Sequence, residues 1–270
     1  MTKLAICSQK GGVGKTTVGI NLSYSLARRG WRVLLLDTDP QGSVGLSLTE
    51  RAHNSPGFFD TLVGDPLDGM FLPTRLPEMQ ILTAGNFDRF SQSPLAADPD
   101  ARKAQMAKVL KALDSHEFHL VIIDTAAGTH SVTGDVLALT DYVLIPQQAE
   151  PLGIRSLPQI LKVLTELQSR TEPPKVAGIL PTMVQNENSA SLEVLRQLRD
   201  VIPAEMLLSS IIPRDSVFTK ASEFGVPVAL LQKKPPQAAL IFDQLAAELE
   251  QRMNFTPIEA QQHEFTRLMD

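Results

Sequence analysis

The stretch that decides the fold is Ser8-Gln9-Lys10-Gly11-Gly12-Val13-Gly14-Lys15-Thr16-Thr17. A short apolar run over residues 3–7 precedes it and is typical of a buried strand. Apolar side chains at helical spacing follow it, at Val18, Ile20, Leu22 and Leu26. The order of strand, glycine-rich loop and helix predicts a phosphate site, because the loop N–H groups and the positive end of the helix both attract anions.

Each residue type in the loop has a place in that site. The loop glycines are Gly11, Gly12 and Gly14. Without a Cβ they let the backbone turn tightly and direct its N–H groups, including that of Val13, toward a nucleotide. We expect Lys15 to reach the β- and γ-phosphates and the Thr16 hydroxyl to ligate Mg²⁺. Thr17 is expected to contact the α-phosphate or to cap the helix.

Two further apolar runs end in carboxylates. Residues 31–36 predict a second buried strand, followed by the sequence Asp-Thr-Asp-Pro-Gln-Gly that contains Asp37 and Asp39. Residues 118–123 predict another strand that ends in Asp124. Acids at the carboxyl ends of parallel strands lie where ligands bind. Such acids hold waters of a Mg²⁺ shell or position the water that attacks a γ-phosphate, and Asp124 is placed as the acid of a Walker B strand.

The loop departs from the common P-loop pattern, which has a glycine five positions before Gly14. Gln9 stands there, and Lys10 precedes the paired glycines. This Lys-Gly-Gly-x-Gly-Lys-Thr form resembles the deviant Walker A loop of the ParA/MinD family of dimerising ATPases, and most of all its short ParA/Soj members without an N-terminal DNA-reading domain. The resemblance covers nearly the whole chain and rests on the loop, the Asp-x-Asp-Pro-Gln-Gly motif and the Asp124 strand. Family members usually follow that last acid and its threonine with two prolines, where this chain has Ala126 and Ala127.

The resemblance implies Mg²⁺-dependent ATP hydrolysis by a homodimer that holds two ATP molecules between its subunits. In that arrangement Lys10 of one subunit touches the γ-phosphate bound to the other, Asp39 serves catalysis and Asp37 belongs to the metal shell. The Ile-Pro-Arg loop implies that Pro213 and Arg214 contact the adenine. A solvated Lys10, or one that serves only its own nucleotide, is the alternative.

The rest of the chain alternates strands and helices up to residue 253. It predicts one doubly wound α/β domain over residues 1–253, with a mostly parallel sheet and helices on both faces. Predicted elements include a helix over residues 154–168 and a last strand with its loop over residues 207–214, whereas the polar, proline-containing stretch 87–100 is expected to be mobile. Residues 254–270 are expected to form a C-terminal tail, with at most one short helix. His119 and His130 were weighed as catalytic groups and disfavoured, because no partner stands at metal-ligand spacing.

Composition limits the classes of function. The chain has 270 residues, a net charge of −5 and a pI of about 5.6, so any nucleic-acid binding needs a local basic patch. The single cysteine, Cys7, excludes an intramolecular disulfide. No apolar run is long enough to span a membrane, and the chain enters its first strand at once. We therefore expect a cytoplasmic protein without membrane anchoring, and the resemblance implies that it associates with the nucleoid.

DNA binding is the least certain expectation. DNA-binding relatives carry arginines at the places where this chain has Glu187 and Val217. Lys220, Lys233 and Lys234 lie nearby in sequence and are candidates for a substitute patch. The leading hypothesis is a partitioning or cargo-positioning ATPase that uses non-specific DNA and a ParB-like or cargo-adaptor protein. Alternatives are a ParA-like ATPase that recruits a protein assembly without DNA, a metabolic P-loop enzyme and a MinD-like membrane ATPase.

Overall fold

The computed structural model of the chain describes residues 1–129, 131–150, 174–185 and 187–255, together with the isolated positions 158, 161, 162 and 165. The helix predicted over residues 154–168 falls almost entirely outside the described residues. His130 and residues 256–270 of the predicted tail lie outside them as well.

The described strands form one sheet. They are β1 Thr2–Ile6, β2 Val33–Asp37, β3 Leu72–Pro73, β4 Met79–Leu82, β5 Leu120–Asp124, β6 Tyr142–Gln148 and β7 Lys175–Thr182. Their order across the sheet is β3-β4-β2-β5-β1-β6-β7. Every neighbouring pair is parallel except β3 and β4, which are antiparallel. The predicted α/β class with a mostly parallel sheet is confirmed.

Helices connect the strands. The described α-helices are α1 Lys15–Arg28, α2 Ser43–Leu46, α3 Glu50–His53, α4 Phe58–Leu62, α5 Phe87–Ser91, α6 Pro94–Ala97, α7 Pro99–Ala112, α8 Val132–Leu137, α9 Ser189–Val201, α10 Ser216–Glu223 and α11 Gln237–Arg252. Short 3₁₀ helices occupy Leu113–His116 and Val228–Leu230.

The strands are buried on both faces. Along β1, Leu4 and Ile6 point into a core that contains residues of α1 and α11, whereas Ala5 points into a second core with residues of α4, α7, α8 and α9. Successive strand residues face opposite sides of a sheet, so two apolar cores require an unbroken apolar strand. Cys7 joins the second core, and burial raises the pKa of its thiol to about 12.

The structure differs from the local expectations in three places. Residues 207–214 form no continuous strand, only isolated bridges from Leu207 to β7 and from Pro213 to Val184. Between these bridges the N–H groups of Ser209 and Ser210 donate to the Glu248 carboxylate of α11. The stretch 87–100 carries the short helices α5, capped by the Asn86 side chain, and α6, which begins at Pro94. Helix α10 was not predicted.

The parallel register gathers the predicted site at one edge of the sheet. Asp124 at the end of β5 pairs with Ile6 of β1 on one side and with Asp37 of β2 on the other. The glycine-rich loop leaves β1 at the same edge. Ligands of open parallel sheets bind at this carboxyl edge. In the part of the chain that the structure describes, none of the helices is both long and apolar enough to cross a bilayer.

Candidate functional site

The glycine-rich loop takes a conformation that needs its glycines. Gly12 and Gly14 have φ angles of 73° and 93°, in the left-handed region that glycine adopts without strain. Gly14 caps α1, and its carbonyl accepts the N–H of Val18 at 2.8 Å. The Thr182 hydroxyl of β7 donates to the carbonyl of Val13 at 2.9 Å and ties the loop to the sheet.

A cavity of about 720 Å³ opens over this loop. Residues of the loop, of the segment after β2 and of the segment after β5 line it, among them Gly12, Lys15, Thr16, Asp39 and Ala127. Lys15 is only 8% exposed. A nearly buried ammonium beside the N-terminus of α1 makes the cavity a site for an anion.

Thr16 and Asp124 meet at the floor of the site. The Thr16 hydroxyl donates to Asp124 Oδ2 at 2.6 Å. Asp124 is completely buried, and burial raises the pKa of its carboxyl to about 7, against the lowering effects of Thr16 and Lys15. Within the described residues, its Oδ1 accepts no hydrogen bond.

Asp37 holds the segment that carries Asp39. One Asp37 oxygen accepts the Asp39 N–H at 2.9 Å and the other accepts the Val44 N–H at 3.0 Å. Burial raises the pKa of Asp37 well above its ordinary value, and the charge of Asp124 raises it further. Asp39 itself lines the cavity, and its Oδ1 accepts the N–H of Gln41 at 3.0 Å. Both Asp37 oxygens therefore already have backbone donors, which the motif alone did not indicate.

These residues suit a magnesium ion. A buried carboxylate with one unpartnered oxygen, next to a hydroxyl and a second buried acid, is the hard oxygen donor set that Mg²⁺ prefers. A cation there also offsets the raised pKa of Asp124, because it favours the ionised carboxylate. Thr16 would bind the ion directly, and the two acids would hold its waters.

Lys10 lies at the rim of the site and not inside it. Its ammonium donates to Gln148 Oε1 at 3.1 Å and is 3.7 Å from Glu150 Oε2. The side chain is 37% exposed. Gln148 and Glu150 stand at the end of β6 and were not among the predicted residues, although polar groups at the carboxyl edge of a parallel strand are a signal that could have found them.

A second cavity, of about 430 Å³, lies beside the loop, and Pro213 and Arg214 are among its lining residues. Their contact with adenine stays a prediction. Gly14, Thr17 and Met183 line both cavities, so the two adjoin. Met183 has a φ of 55°, unusual for a residue with a Cβ. A cavity with phosphate donors beside a more apolar one suits a nucleotide, with its phosphates in the first and its base in the second.

The remaining candidate residues lie outside these cavities. His119 precedes β5 at the opposite edge of the sheet, and its Nδ1 accepts the N–H of Arg32. Lys220 on α10 and the loop lysines Lys233 and Lys234 are exposed. Glu187 is exposed as well, and a hydrogen bond from Arg214 N to Val184 O places its loop beside the start of α10, where Val217 lies.

Comparisons with known proteins show the family of the chain. A family model described as an AAA domain matches residues 1–176. The chain is 32% identical to the chromosome-partitioning ATPase Soj of Thermus thermophilus, over 93% of this chain and 96% of Soj. It is 31% identical to the chromosome partitioning protein ParA of Caulobacter vibrioides, over 86% of this chain and 87% of that protein.

A solved structure is similar over its whole length. The crystal structure of cobyrinic acid a,c-diamide synthase from Mycobacterium smegmatis, with bound ATP analogue and magnesium, superposes with a TM-score of 0.77 and 27% identity. The match covers 94% of this chain and 96% of that one. The chain therefore belongs to the AAA-domain family and, within it, to the ParA/Soj-type P-loop ATPases.

Proposed function

We propose that two copies of this ParA-like ATPase enclose two Mg–ATP molecules between them, and that hydrolysis separates the copies. The observation that carries the proposal is the contrast between the two lysines of the loop. Lys15 is 8% exposed and lines the cavity, whereas the Lys10 side chain is 37% exposed at its rim. A buried cation serves the nucleotide of its own chain, and an exposed one beside the same loop is accessible to a nucleotide held by a second copy.

The residues of the site divide the work of hydrolysis among them. Lys15 and the loop N–H groups bind the phosphates, and Lys10 of the partner copy adds a second cation where negative charge develops. Asp39 positions the attacking water, while Asp37 fixes the backbone of Asp39 through its N–H. Mg²⁺, when bound through Thr16 and the waters of Asp37 and Asp124, neutralises charge on the phosphate oxygens.

The experiment compares Asp39→Ala with the double variant Lys10→Ala/Asp39→Ala, by analytical ultracentrifugation in ATP and Mg²⁺. We expect Asp39→Ala to bind ATP, to hydrolyse it at least tenfold more slowly and to remain dimeric, because the loss of the water-positioning acid stalls the reaction. The double variant is expected to bind ATP and stay monomeric. A double variant that dimerises as Asp39→Ala does would refute the enclosed-nucleotide dimer.

The biological role follows from what such a switch can do. An ATP-dependent dimer that dissolves on hydrolysis suits positioning of a cargo, and the partitioning role named for the Soj and ParA relatives supports this use. We propose that the dimer holds non-specific DNA of the nucleoid in the cytoplasm. A ParB-like or cargo-adaptor protein would stimulate its hydrolysis.

One observation favours a second candidate, a ParA-like ATPase that recruits a protein assembly without DNA. The face formed by the Glu187 loop and the start of α10 carries Glu187 and Asp215, both exposed, and it offers the apolar Val217 where a cation would serve DNA. DNA binding by Asp39→Ala across a salt series separates the two. Tight DNA binding that needs ATP and falls steeply with salt supports the use of nucleoid DNA. A dimer that does not bind DNA supports recruitment of a protein assembly.

A further inference from the structure

The carboxylate of Glu150 lies between two cations of the candidate site. Its Oε2 is 3.7 Å from the Lys10 ammonium, and its Oε1 is 3.9 Å from an Arg214 guanidinium nitrogen. Lys10 also donates to Gln148, which is only 8% exposed and so gives the lysine a fixed partner. One acidic side chain thus joins the loop that binds phosphate to the loop beside the second cavity.

The backbone holds Glu150 in this place. The Ala149 N–H donates to the Thr182 carbonyl of β7 at 3.0 Å, and the Glu150 N–H donates to the Gln148 carbonyl at 2.8 Å. These bonds turn the chain tightly just beyond β6, at the rim of the carboxyl edge. Glu150 lines neither of the two cavities. Glu150 therefore contacts the cations of the two loops and does not enter the space that the chain's own nucleotide would fill.

We propose that Glu150 is a counter-ion within the chain that competes with the partner's γ-phosphate for Lys10, and thereby sets the ATP concentration at which two copies associate. This inference rests on the proposed dimer. A γ-phosphate that reaches the Lys10 ammonium approaches the Glu150 carboxylate as well, and two negative groups then share one cation. Glu150 favours the separate copies, because there Lys10 has no phosphate to bind.

The attraction between the Glu150 carboxylate and the Lys10 ammonium is weak. The Lys10 and Glu150 side chains are 37% and 42% exposed, so solvent weakens their attraction. A weak counter-ion can be displaced by a multiply charged phosphate but raises the ATP concentration that association requires. Removing it leaves Lys10 and Arg214, two positive charges, without their shared carboxylate.

The test uses the slowly hydrolysing Asp39→Ala protein as the parent and adds Glu150→Gln to it. Analytical ultracentrifugation gives the dimer dissociation constant in saturating ATP and the ATP concentration for half-maximal dimer. We expect Glu150→Gln to lower both by roughly two- to fivefold, the range of an exposed ion pair, with a smaller gain at high salt. The matched control is Glu117→Gln, which removes the same charge from an exposed pair with Arg32 at the opposite edge of the sheet and should change neither.

The outcomes distinguish a failure of the counter-ion role from a failure of the proposed dimer. If the parent dimerises through Lys10 and Glu150→Gln leaves the dissociation constant unchanged or raises it, the counter-ion role is overturned and the dimer stands. If Lys10→Ala in the same parent dimerises normally, the dimer proposal falls and the inference falls with it. The affinity of the monomer for ADP is measured alongside, because an equal gain there would place the effect in nucleotide binding and also contradict the competition.

Discussion

Asp124 is a buried carboxyl group of the candidate site whose protonation should depend on pH. Its carboxyl is completely buried, and burial raises its pKa from 3.8 to about 7. In protein freed of nucleotide and Mg²⁺, the folded state then binds a proton between about pH 4 and pH 7 that the unfolded state has released. Stability is greatest below pH 4 on this account and falls as the pH rises through 7, by an amount on the order of 2–4 kcal/mol.

The prediction is checked with urea unfolding at pH 5 and pH 8 in EDTA. Asp124→Asn removes the titrating group, so its free energy of unfolding should fall less between these pH values than that of the wild type. The variant also lacks the Asp124 charge that raises the pKa of Asp37, so the Asp37 contribution to this pH dependence shrinks in the same direction. Carboxyl groups away from this pair contribute equally to both proteins. An Asn variant with the same pH dependence as the wild type would show that Asp124 titrates near its ordinary pKa.

At the residue scale, the sequence predicts what is local and leaves out what is distant. Lys15, Thr16 and Asp124 lie together as the motifs suggested, because the ends of parallel strands converge at one edge. The sequence marks Gln148 as a polar group at the end of a strand but does not pair it with Lys10, since the two stand 138 residues apart and meet only through the order of strands in the sheet. The roles given to these residues stay predictions that the variants above address.

At the scale of elements, α10 packs directly on the segment that follows Asp39. Gly225, just beyond α10, has a φ of +63°, and a Cβ there would clash with the backbone carbonyl of Leu48. Leu48 ends the segment that includes the cavity residues Ser43 and Ser47. We expect Gly225→Ala to destabilise the protein by about 2–4 kcal/mol, through backbone strain and displacement of this segment, and to weaken ATP hydrolysis.

The control for Gly225→Ala is Gly69→Ala. Gly69 also has a positive φ, +84°, but a Cβ there would have no neighbour within 4 Å. Backbone strain alone should lower the free energy of unfolding by about 1 kcal/mol and leave ATP hydrolysis unchanged. Chemical denaturation and a phosphate-release assay measure both effects. Equal losses in the two variants would mean that contact with Leu48 is unimportant.

Secondary structure was predictable from the sequence where the apolar pattern was long. The prediction failed where hydrogen bonds to distant residues determine the local structure. The strands β2 and β5 carry continuous apolar runs, and they appear within a few residues of their predicted bounds. Residues 207–214 have the same apolar pattern without forming a strand, because Glu248 takes the N–H groups that a strand would pair. No local pattern shows that competition.

At the scale of the whole molecule, α11 closes the fold onto α1. Glu250 of α11 is 4% exposed and accepts the indole N–H of Trp31 at 2.7 Å and the Arg29 Nε at 2.8 Å. Glu250→Ala leaves the buried Trp31 indole N–H without its partner and the 36% exposed Arg29 without its counter-ion. We expect a loss of about 2–4 kcal/mol in the free energy of unfolding, measured by urea denaturation.

Glu193→Ala is the control for Glu250→Ala. Glu193 pairs with Arg196 at 2.8 Å on the surface of α9, where the side chains are 47% and 67% exposed. Such a pair contributes about 0–1 kcal/mol, so the variant should unfold almost as the wild type does. If the two variants lost equal stability, the buried network would not be what fixes α11.

At the scale of the proposed dimer, a local patch of positive charge would decide whether it binds DNA, and one double substitution tests this directly. Glu187→Arg/Val217→Arg in the Asp39→Ala parent adds two cations per copy to the face formed by the Glu187 loop and the start of α10. If DNA lies on that face, up to four new phosphate contacts per dimer should raise affinity and steepen the log–log salt dependence by roughly 2–4. Glu117→Arg, which adds charge at the opposite edge of the sheet, should change the slope little. A double variant that gains no more than Glu117→Arg would place DNA elsewhere, whereas a parent that already binds tightly would show that Lys220, Lys233 and Lys234 suffice.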